Sequence, residues 1–181
     1  WNNADLLLVI MDNRWTAMTG HQPTPSTGID WSGEKAKAVN LRDIVAALGV
    51  EYVRVADPFN LKNAIAIFQD AMEREGVRVV ISQQECVLQA RRRARALIEE
   101  RKKKGVVRYV DVNEDACIFC EECIKEFGCP AITVAEFEGE KVSHIDLSRC
   151  VECMVCKDLC KGCAITVTKV YPGTTILEEV K

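Results

Sequence analysis

Two cysteine-rich stretches decide the fold of the second half of this chain: Cys117-Ile-Phe-Cys120-Glu-Glu-Cys123, and Cys150-Val-Glu-Cys153-Met-Val-Cys156-Lys-Asp-Leu-Cys160. Cys129-Pro130 follows the first stretch. A cubane 4Fe–4S cluster needs four thiolates, one for each iron atom, and a C-x-x-C-x-x-C loop is short enough to bind three irons of one cube. The two stretches therefore predict two iron–sulfur clusters, which are electron-transfer groups.

Two other chemistries also use clustered cysteines. Structural zinc is typically bound by two separated C-x₂-C pairs or by mixtures of Cys and His, and a third Cys at the same tight spacing, twice over, is not typical of it. A disulfide framework requires an oxidising compartment, and the first residues do not resemble a signal peptide. We therefore expect a cytoplasmic protein with reduced cysteines. Cys86 lies far from both stretches and is predicted to be a buried small hydrophobe.

The two stretches also begin an internal repeat, because Cys129-Pro-Ala-Ile-Thr-Val and Cys163-Ala-Ile-Thr-Val both continue into β-prone residues. Over residues 106–170 this repeat resembles the two halves of a bacterial-type ferredoxin domain, which has an α+β fold. In such domains the fourth Cys of each run binds the other cluster. The resemblance implies one cluster on Cys117, Cys120, Cys123 and Cys160, and a second on Cys150, Cys153, Cys156 and Cys129.

Two departures from the ferredoxin pattern leave one ligand open. Five residues separate Cys123 from Cys129, where about three are usual. Lys161 stands where a proline is usual, and an extra Cys163 follows it. Cys163 could replace Cys160 as the fourth ligand of the first cluster. We favour Cys160, because Cys156-x-x-x-Cys160 keeps the usual spacing.

Residues 1–105 alternate between strand-like and helix-like segments. This alternation predicts an α/β fold with a parallel sheet. Residues 5–11, which are apolar from Leu6 to Met11, suit a buried strand of such a sheet. Asn40 and Asn60 are predicted to cap two of the helices. The predicted strands are 5–11, 52–56 and 77–82, and the predicted helices are 41–48, 61–75 and 86–103.

The segment Asp12-Asn13-Arg14-Trp15-Thr16-Ala17-Met18-Thr19-Gly20-His21-Gln22-Pro23 follows the first predicted strand. Ligands of parallel sheets bind at such carboxyl ends. The segment resembles the thiamine-diphosphate loop of the 2-oxoacid:ferredoxin oxidoreductase family, most closely of its indolepyruvate members. Val55-Ala56-Asp57-Pro58-Phe59-Asn60-Leu61 and Gly128-Cys129-Pro130-Ala131-Ile132 also resemble family segments. The family likewise places a ferredoxin domain after its second thiamine-diphosphate domain.

The resemblance implies a division of the chain and a set of cofactor contacts. Residues 1–105 would be the C-terminal part of a thiamine-diphosphate-binding domain, 106–170 a two-cluster ferredoxin domain, and 171–181 a tail. A side-chain oxygen of Asn13 and the backbone carbonyl of Trp15 would bind Mg²⁺, which prefers octahedral oxygen ligands. Thr19 and Gly20 would approach the cofactor. Catalytic residues are not assigned.

The family's upstream Asp ligand of Mg²⁺ and its cofactor-activating Glu have no counterpart in these residues, which begin at Trp1. We therefore expect a C-terminal fragment of a catalytic subunit, inactive alone. The whole enzyme would oxidatively decarboxylate an aryl-2-oxo acid such as indolepyruvate to acyl-CoA and carbon dioxide, with a β subunit and with ferredoxin as electron acceptor. Two alternatives stay open: a non-catalytic two-cluster carrier with a docking domain, and a subunit for pyruvate or 2-oxoglutarate.

Charge is unevenly distributed along the chain, although the formal net charge is only −3. Residues 91–104 hold eight Arg or Lys against two Glu, whereas residues 111–168 hold twelve Asp or Glu against five Arg or Lys. The basic segment is expected to be a solvated helix face, with docking onto an acidic partner as the alternative. It lacks the interleaved aromatics of a nucleic-acid site. The longest apolar run, Leu6 to Met11, is too short to span a membrane.

Overall fold

The structure is a computed structural model that describes residues 2–103 and 107–170. Contacts within the chain define two compact units, Trp1–Ala90 and Arg91–Lys181. The basic segment therefore belongs with the second unit, although the sequence analysis placed the boundary after residue 105. The predicted tail 171–181 lies outside the described residues.

The first unit contains a three-stranded parallel sheet with the order β1-β5-β4. A short antiparallel pair, β2 with β3, lies in the loop after β1. Helices follow the strands in alternation, so the predicted parallel α/β arrangement is confirmed for this unit. The elements are β1 Leu6–Asp12, β2 Trp15–Thr16, β3 Gln22–Pro23, α1 Leu41–Ala47, β4 Tyr52–Ala56, α2 Leu61–Met72 and β5 Val77–Gln83. Helix α3, Val87–Arg93, contains the boundary between the two units.

Strand β5 is the centre of the first unit's core. Val79, Val80 and Ile81 are almost completely buried, because a central parallel strand is covered on both faces. Side chains alternate between the faces of a strand. Val80 accordingly packs in one apolar cluster with residues of α2, whereas Val79 and Ile81 pack in another with Val45 of α1.

Strand β1 is not the buried strand that its apolar run predicted. It pairs only with β5 among the described residues, and it is therefore an edge strand of the described sheet. Leu6, Leu8, Val9 and Met11 are exposed, Met11 to 87%. An unbroken apolar run indicates a strand, but it does not reveal how many neighbours that strand has.

Both predicted helix caps are present. The Asn40 side chain accepts a hydrogen bond from Arg42 N (3.0 Å), and the Asn60 side chain accepts one from Asn63 N (3.3 Å). Helix α2 ends at Met72 rather than at residue 75. The Arg78 guanidinium donates to the backbone oxygen of Arg74, so a side chain binds this carbonyl just beyond the helix end.

The predicted helix over 86–103 is instead two helices, α3 and α4, with α4 spanning Arg95–Lys103. Ala94 separates them in a turn. Arg91 and Arg95 would be four residues apart on one continuous helix, where like charges are destabilising. The charge density that marked the segment as exposed therefore also opposes one unbroken helix.

The side chain of Tyr52, the first residue of β4, contacts helix α2. This side chain is only 8% exposed, and its hydroxyl donates to Asp70 Oδ2 (2.8 Å). The guanidinium carbons of Arg54 and Arg74 lie 4.7 and 4.9 Å from the centre of its ring. Burial, followed by the contact with Asp70, raises the pKa of Tyr52. The hydrogen bond from Arg74, followed by that from Tyr52, lowers the pKa of Asp70.

The second unit contains two antiparallel strand pairs, β6 with β9 and β7 with β8. The β7–β8 hairpin turns at Glu138 (φ 49°) and Gly139 (φ 86°), and two left-handed residues are typical of a primed hairpin turn. The elements are α4, β6 Val107–Val112, α5 Glu122–Lys125, β7 Ile132–Phe137, β8 Glu140–Ile145, α6 Val155–Leu159 and β9 Ile165–Val170. Among residues 2–103 and 107–170, no helix has the length and apolarity needed to cross a membrane.

Candidate functional site

The two cysteine loops have the same backbone course. Phe119 and Glu121 have positive φ angles of 44° and 60°, and they lie two and four residues after the first Cys of their loop. Glu152 and Met154 lie at the same offsets in the other loop, with φ angles of 58° and 69°. Such angles are uncommon for residues other than glycine. Their repetition shows that the internal repeat extends from sequence to conformation.

A short helix follows each loop and carries its third cysteine inwards. Helix α5 begins directly after Glu121, and α6 begins directly after Met154. Cys123 and Cys156 are thus the second residue of their helices, and both are buried. Both belong to the unit's apolar core together with residues of β6, β7, β8 and β9. The sulfur atoms are therefore part of the core.

The first cavity brings together Cys117, Cys120, Cys123 and Cys160. Three of these sulfurs have hydrogen-bond partners that lie outside the two cysteine stretches. Ser143 N donates to Cys117 Sγ (3.5 Å), Ser143 Oγ lies 3.3 Å from Cys123 Sγ, and Ala164 N donates to Cys160 Sγ (3.3 Å). The other lining residues are Val112, Ile118, Phe119, Glu122, Leu159, Gly162 and Ile165, with Ser143 and Ala164.

The second cavity brings together Cys129, Cys150, Cys153 and Cys156. Glu152 N donates to Cys150 Sγ (3.4 Å) from within the same loop. Most of the remaining lining is apolar, and it comprises Val110, Phe127, Gly128, Pro130, Ala131, Ile132, Ile145, Val151 and Met154, with Arg149 and Glu152 as the charged residues. The two cavities therefore hold the same two groups of four cysteines that the ferredoxin resemblance implies.

Cys163 lines neither of these cavities. It is exposed and has a φ angle of 52°, and its N–H donates to the backbone oxygen of Cys160 (3.1 Å). The turn over Cys160–Cys163 thus directs Cys160 to the first cavity and Cys163 to solvent. This geometry favours Cys160 as the fourth ligand over the alternative that the sequence left open.

Three of the cavity thiols lie in surroundings that disfavour their charged form. Burial, followed by the neighbouring Cys153, Cys129 and Cys150, raises the pKa of Cys156 to about 12. Burial is also the largest cause of the raised pKa values of Cys123 and Cys150. A metal that binds here therefore displaces protons, which couples metal affinity to pH.

The chemistry of the two cysteine groups fits cubane clusters. Across the part of the chain that the structure describes, no three Cys, His, Asp or Glu side chains are grouped as ligands of a single metal ion. A cubane does not require such convergence, because each thiolate binds a different iron atom. Four thiols around an apolar space, with N–H groups directed at sulfur, match that requirement.

Asp12 organises the polar loop at the carboxyl end of β1. Its Oδ1 accepts hydrogen bonds from Arg14 N (2.8 Å) and Ser26 Oγ (3.1 Å). Its Oδ2 accepts from Gln83 Nε2 (2.8 Å), and Gln83 Oε1 in turn accepts from the Arg14 guanidinium (3.0 Å). Arg14 has a φ angle of 61°, which redirects the chain after the strand. These bonds attach the loop to β5.

The two residues predicted to bind Mg²⁺ share one turn of this loop. Asn13 Oδ1 accepts from Trp15 N (2.9 Å), and the Asn13 side chain is exposed. Trp15 is buried, and its Nε1 donates to Glu85 Oε1 (3.0 Å). The amide and carbonyl oxygens of such a turn are the hard ligands that Mg²⁺ prefers, so the residue types present fit the predicted site.

Thr19 and Gly20, the residues predicted to approach the cofactor, lie at an exposed turn. Thr19 Oγ1 donates to Gln22 Oε1 (2.7 Å), and Gln22 Nε2 donates to the Thr19 backbone oxygen (2.6 Å). Gly20 has a φ angle of 114°, which residues with a Cβ rarely adopt. The backbone here is therefore open to a ligand and is held by Gln22.

The sequence analysis missed part of this site. Cys86 is only partly buried, and its Sγ lies 3.4 Å from His21 Nε2, so the prediction of a buried apolar Cys86 was wrong. Gln83 and Glu85, which hold the loop, were also missed. Gln83 is the last residue of β5, the neighbour of β1, and Glu85 lies two residues further on. The rule that parallel strands present ligands at their carboxyl ends could have identified both.

Residues 1–82 match the family described as thiamine pyrophosphate enzyme, C-terminal TPP binding domain. This match covers the parallel sheet together with the Asp12–Pro23 loop at its edge. The class of the first unit is thereby that of the thiamine-pyrophosphate-binding α/β domains.

Over most of its length the chain is similar to proteins named indolepyruvate oxidoreductase subunit IorA. It is 43% identical to that of Archaeoglobus fulgidus over 93% of this chain and 25% of the relative. The identity is 38% for Methanothermobacter marburgensis, over 91% and 24%, and 36% for Pyrococcus horikoshii, over 88% and 23%. The resemblance identified from the loop is thus confirmed, and the chain spans about a quarter of the length of these relatives. No solved structure matches the chain significantly.

Proposed function

We propose that the second unit is a two-cluster ferredoxin domain, with one 4Fe–4S cluster on Cys117, Cys120, Cys123 and Cys160 and another on Cys150, Cys153, Cys156 and Cys129. The observation that carries this proposal is the division of eight cysteines, four and four, between two cavities. In each group three cysteines come from one loop and the fourth comes from the other half of the repeat, as in two-cluster ferredoxins.

The protein's own contribution to these clusters is geometry, hydrogen bonding and exclusion of water. The left-handed residues of each loop direct its three thiols toward one centre, and the apolar linings limit solvent access. Hydrogen bonds to sulfur and solvent exposure are among the factors that set cluster potentials. The chain thereby supplies an environment suited to passing single electrons.

In the first unit we propose a site for thiamine diphosphate and Mg²⁺ on the loop after β1. The Asn13 side-chain oxygen and the Trp15 carbonyl would bind the metal, and Thr19 and Gly20 would lie against the diphosphate. Bound there, thiamine diphosphate supplies an electron sink for a reacting 2-oxo acid. The match of residues 1–82 to a thiamine-pyrophosphate-binding domain supports this assignment.

For the whole protein we propose oxidative decarboxylation of a 2-oxo acid, with indolepyruvate as the type substrate. The products would be acyl-CoA and carbon dioxide, and the two electrons would leave singly to a ferredoxin. The names of the similar subunits support an indolepyruvate oxidoreductase that acts with a partner subunit. An independent two-cluster carrier is not favoured, because residues 1–82 match a cofactor-binding domain.

The proposal is tested by purifying the full 181-residue chain without air and counting iron and acid-labile sulfide. About eight of each per chain are expected, four for each cluster. A colourless protein, or one that holds zinc in place of iron, contradicts the cluster assignment. The reaction is tested on the longest natural polypeptide that contains this sequence, with its partner subunit. That complex should reduce ferredoxin when given indolepyruvate and coenzyme A, and omission of either substrate should abolish reduction.

A further inference from the structure

Ser143 is a polar residue in an otherwise apolar core, where it contacts two sulfurs of the first cavity. It lies on β8 and is 4% exposed. Its N–H donates to Cys117 Sγ (3.5 Å), and its Oγ lies 3.3 Å from Cys123 Sγ. A buried hydroxyl needs a hydrogen-bond partner, and this hydroxyl has a sulfur as its partner.

The hydroxyl must donate this bond when Cys123 is an iron ligand. A ligating cysteine is a thiolate, which has no proton of its own to give. A donor to a thiolate stabilises the more negative, reduced state of a cluster more than it stabilises the oxidised state. Hydrogen bonds to sulfur thus make reduction easier. The low polarity around Ser143 strengthens the effect.

The second cavity has no counterpart of this serine. No hydroxyl side chain is among its lining residues, and its hydrogen bond to sulfur, from Glu152 N, is a backbone bond. The edge of this cavity has one basic and one acidic residue: Arg149 is exposed and pairs with Asp146 (3.4 Å), and Glu152 is also exposed. The Arg91 guanidinium donates to the Cys150 backbone oxygen (3.0 Å), but it is also exposed. Solvent and salt screen exposed charges.

We propose that Ser143 is a positioning residue that raises the reduction potential of the cluster bound by Cys117, Cys120, Cys123 and Cys160 above that of the cluster bound by Cys129, Cys150, Cys153 and Cys156. This inference rests on the proposed function of the second unit. Reduction adds one electron to a cluster without forming or breaking a bond to the protein. Ser143 therefore acts on the equilibrium through the ligand sulfurs.

The test is an anaerobic redox titration of the full chain, followed by electron paramagnetic resonance, with two resolved midpoints expected. Cys153→Ser assigns them, because the midpoint that moves or disappears belongs to the second cluster. Ser143→Ala should shift the other midpoint to a more negative potential and leave the second unchanged. Ser143→Thr keeps the hydroxyl and should restore the midpoint toward the wild-type value. Ser148→Ala is the matched control, because that surface hydroxyl bonds Asp146 (2.6 Å) and should shift neither midpoint.

Three results overturn the proposal: an unchanged first midpoint in Ser143→Ala, a shift confined to the second cluster, or a wild-type order in which the second cluster is the easier to reduce. If Ser143→Ala fails to assemble, the wild-type order and Ser143→Thr still test the proposal. A wild type whose second cluster is the easier to reduce overturns it, and so does a Ser143→Thr variant whose first midpoint falls far below the wild-type value although the hydroxyl is kept. Iron and sulfide counts separate this failure from failure of the proposed function. A wild-type chain without iron contradicts the proposal of two clusters. A chain that holds both clusters, but whose midpoints do not change on substitution of Ser143, contradicts only this inference.

Discussion

A Cβ atom added to Gly162 would lie 2.8 Å from the backbone oxygen of Ala116. Gly162 lies two residues after Cys160, and Ala116 directly precedes Cys117, so the turn after Cys160 packs directly on the entry to the first cysteine loop. Gly162→Ala should push these segments apart and destabilise the second unit by about 1–3 kcal/mol, the usual cost of overpacking. Urea titration of the full chain measures the change.

The control for that substitution is Lys161→Ala. The Lys161 side chain is 66% exposed and pairs with Glu122, and exposed ion pairs contribute little to stability. Lys161→Ala should therefore leave the unfolding midpoint almost unchanged. If Lys161→Ala destabilised the unit as much as Gly162→Ala, the close approach of Gly162 to Ala116 would not be the cause of the lost stability.

Cys160 and Cys163 should differ sharply in what they contribute to iron binding. Cys160→Ser removes a proposed ligand of the first cluster, so we expect loss of about half of the iron and sulfide or a changed spectrum of that cluster. Cys163→Ser removes an exposed thiol outside both cavities and should leave both counts unchanged. Iron and sulfide analysis after anaerobic purification decides between the two. The opposite pattern would make Cys163 the ligand.

Tyr52 should make the first unit's stability sensitive to high pH. Its pKa is raised above the ordinary value of 10.0, so the folded chain favours the neutral phenol. This contribution is complete below pH 10 and is lost as pH rises through the folded-state pKa. Tyr52→Phe removes the hydrogen bond to Asp70 at a cost of about 1 kcal/mol at neutral pH. The variant should also lose less stability than the wild type between neutral and strongly alkaline pH, measured by urea unfolding.

Asp70 should have the opposite dependence on pH. Its pKa is lowered below the ordinary value of 3.8, first by Arg74 and then by Tyr52. The carboxylate therefore contributes stability above pH 3.8, and this contribution is lost as pH falls through the lower folded-state pKa. Asp70→Asn should reduce stability at neutral pH and flatten the acid side of the stability curve. A variant with the wild-type acid profile would show that another carboxylate is responsible.

Asn13 should matter for cofactor affinity, whereas Asn40 should not. Asn13→Ala removes a proposed oxygen ligand and should weaken Mg²⁺-dependent binding of thiamine diphosphate roughly tenfold or more. Titration calorimetry on the longest natural polypeptide with this sequence measures the affinity. Asn40→Ala removes only the cap of α1, at a cost of about 1 kcal/mol. Asn40→Ala should lower stability and leave the affinity for thiamine diphosphate unchanged. If both variants lost affinity equally, the proposed role of Asn13 as a metal ligand would be contradicted.

The local parts of the first unit followed from sequence because their causes are local. Asn40 and Asn60 cap their helices through neighbouring N–H groups, and the strand over 52–56 was predicted at its observed bounds. Errors arose where distant residues act. The exposure of β1 depends on its neighbours in the sheet, and the backbone just beyond α2 is bound by Arg78, a residue of β5.

The candidate sites likewise combine features that could be predicted from local sequence with features that depend on distant residues. Three cysteines of each group follow from loop spacing, because a short loop can contact only one cube. The contribution of Ser143 could not be predicted, since Ser143 comes from a hairpin that lies between the two cysteine loops in sequence. The hairpin lines both cavities, but Ser143 lines only the first. The loop after β1 was identified by its residues, but Gln83 and Glu85 support it from seventy residues away.

Phe119, Glu121, Glu152 and Met154 hold left-handed conformations, which cost about 1–2 kcal/mol each for residues other than glycine. In a domain of this size four such costs are a large fraction of the total stability, and bonds to iron in the two proposed clusters would offset them. If the proposal is right, a newly made chain without its clusters would be weakly folded, would open often and would then be cut by proteases. Iron supply in the cell would thereby set the lifetime of the polypeptide as well as its electron-carrying capacity.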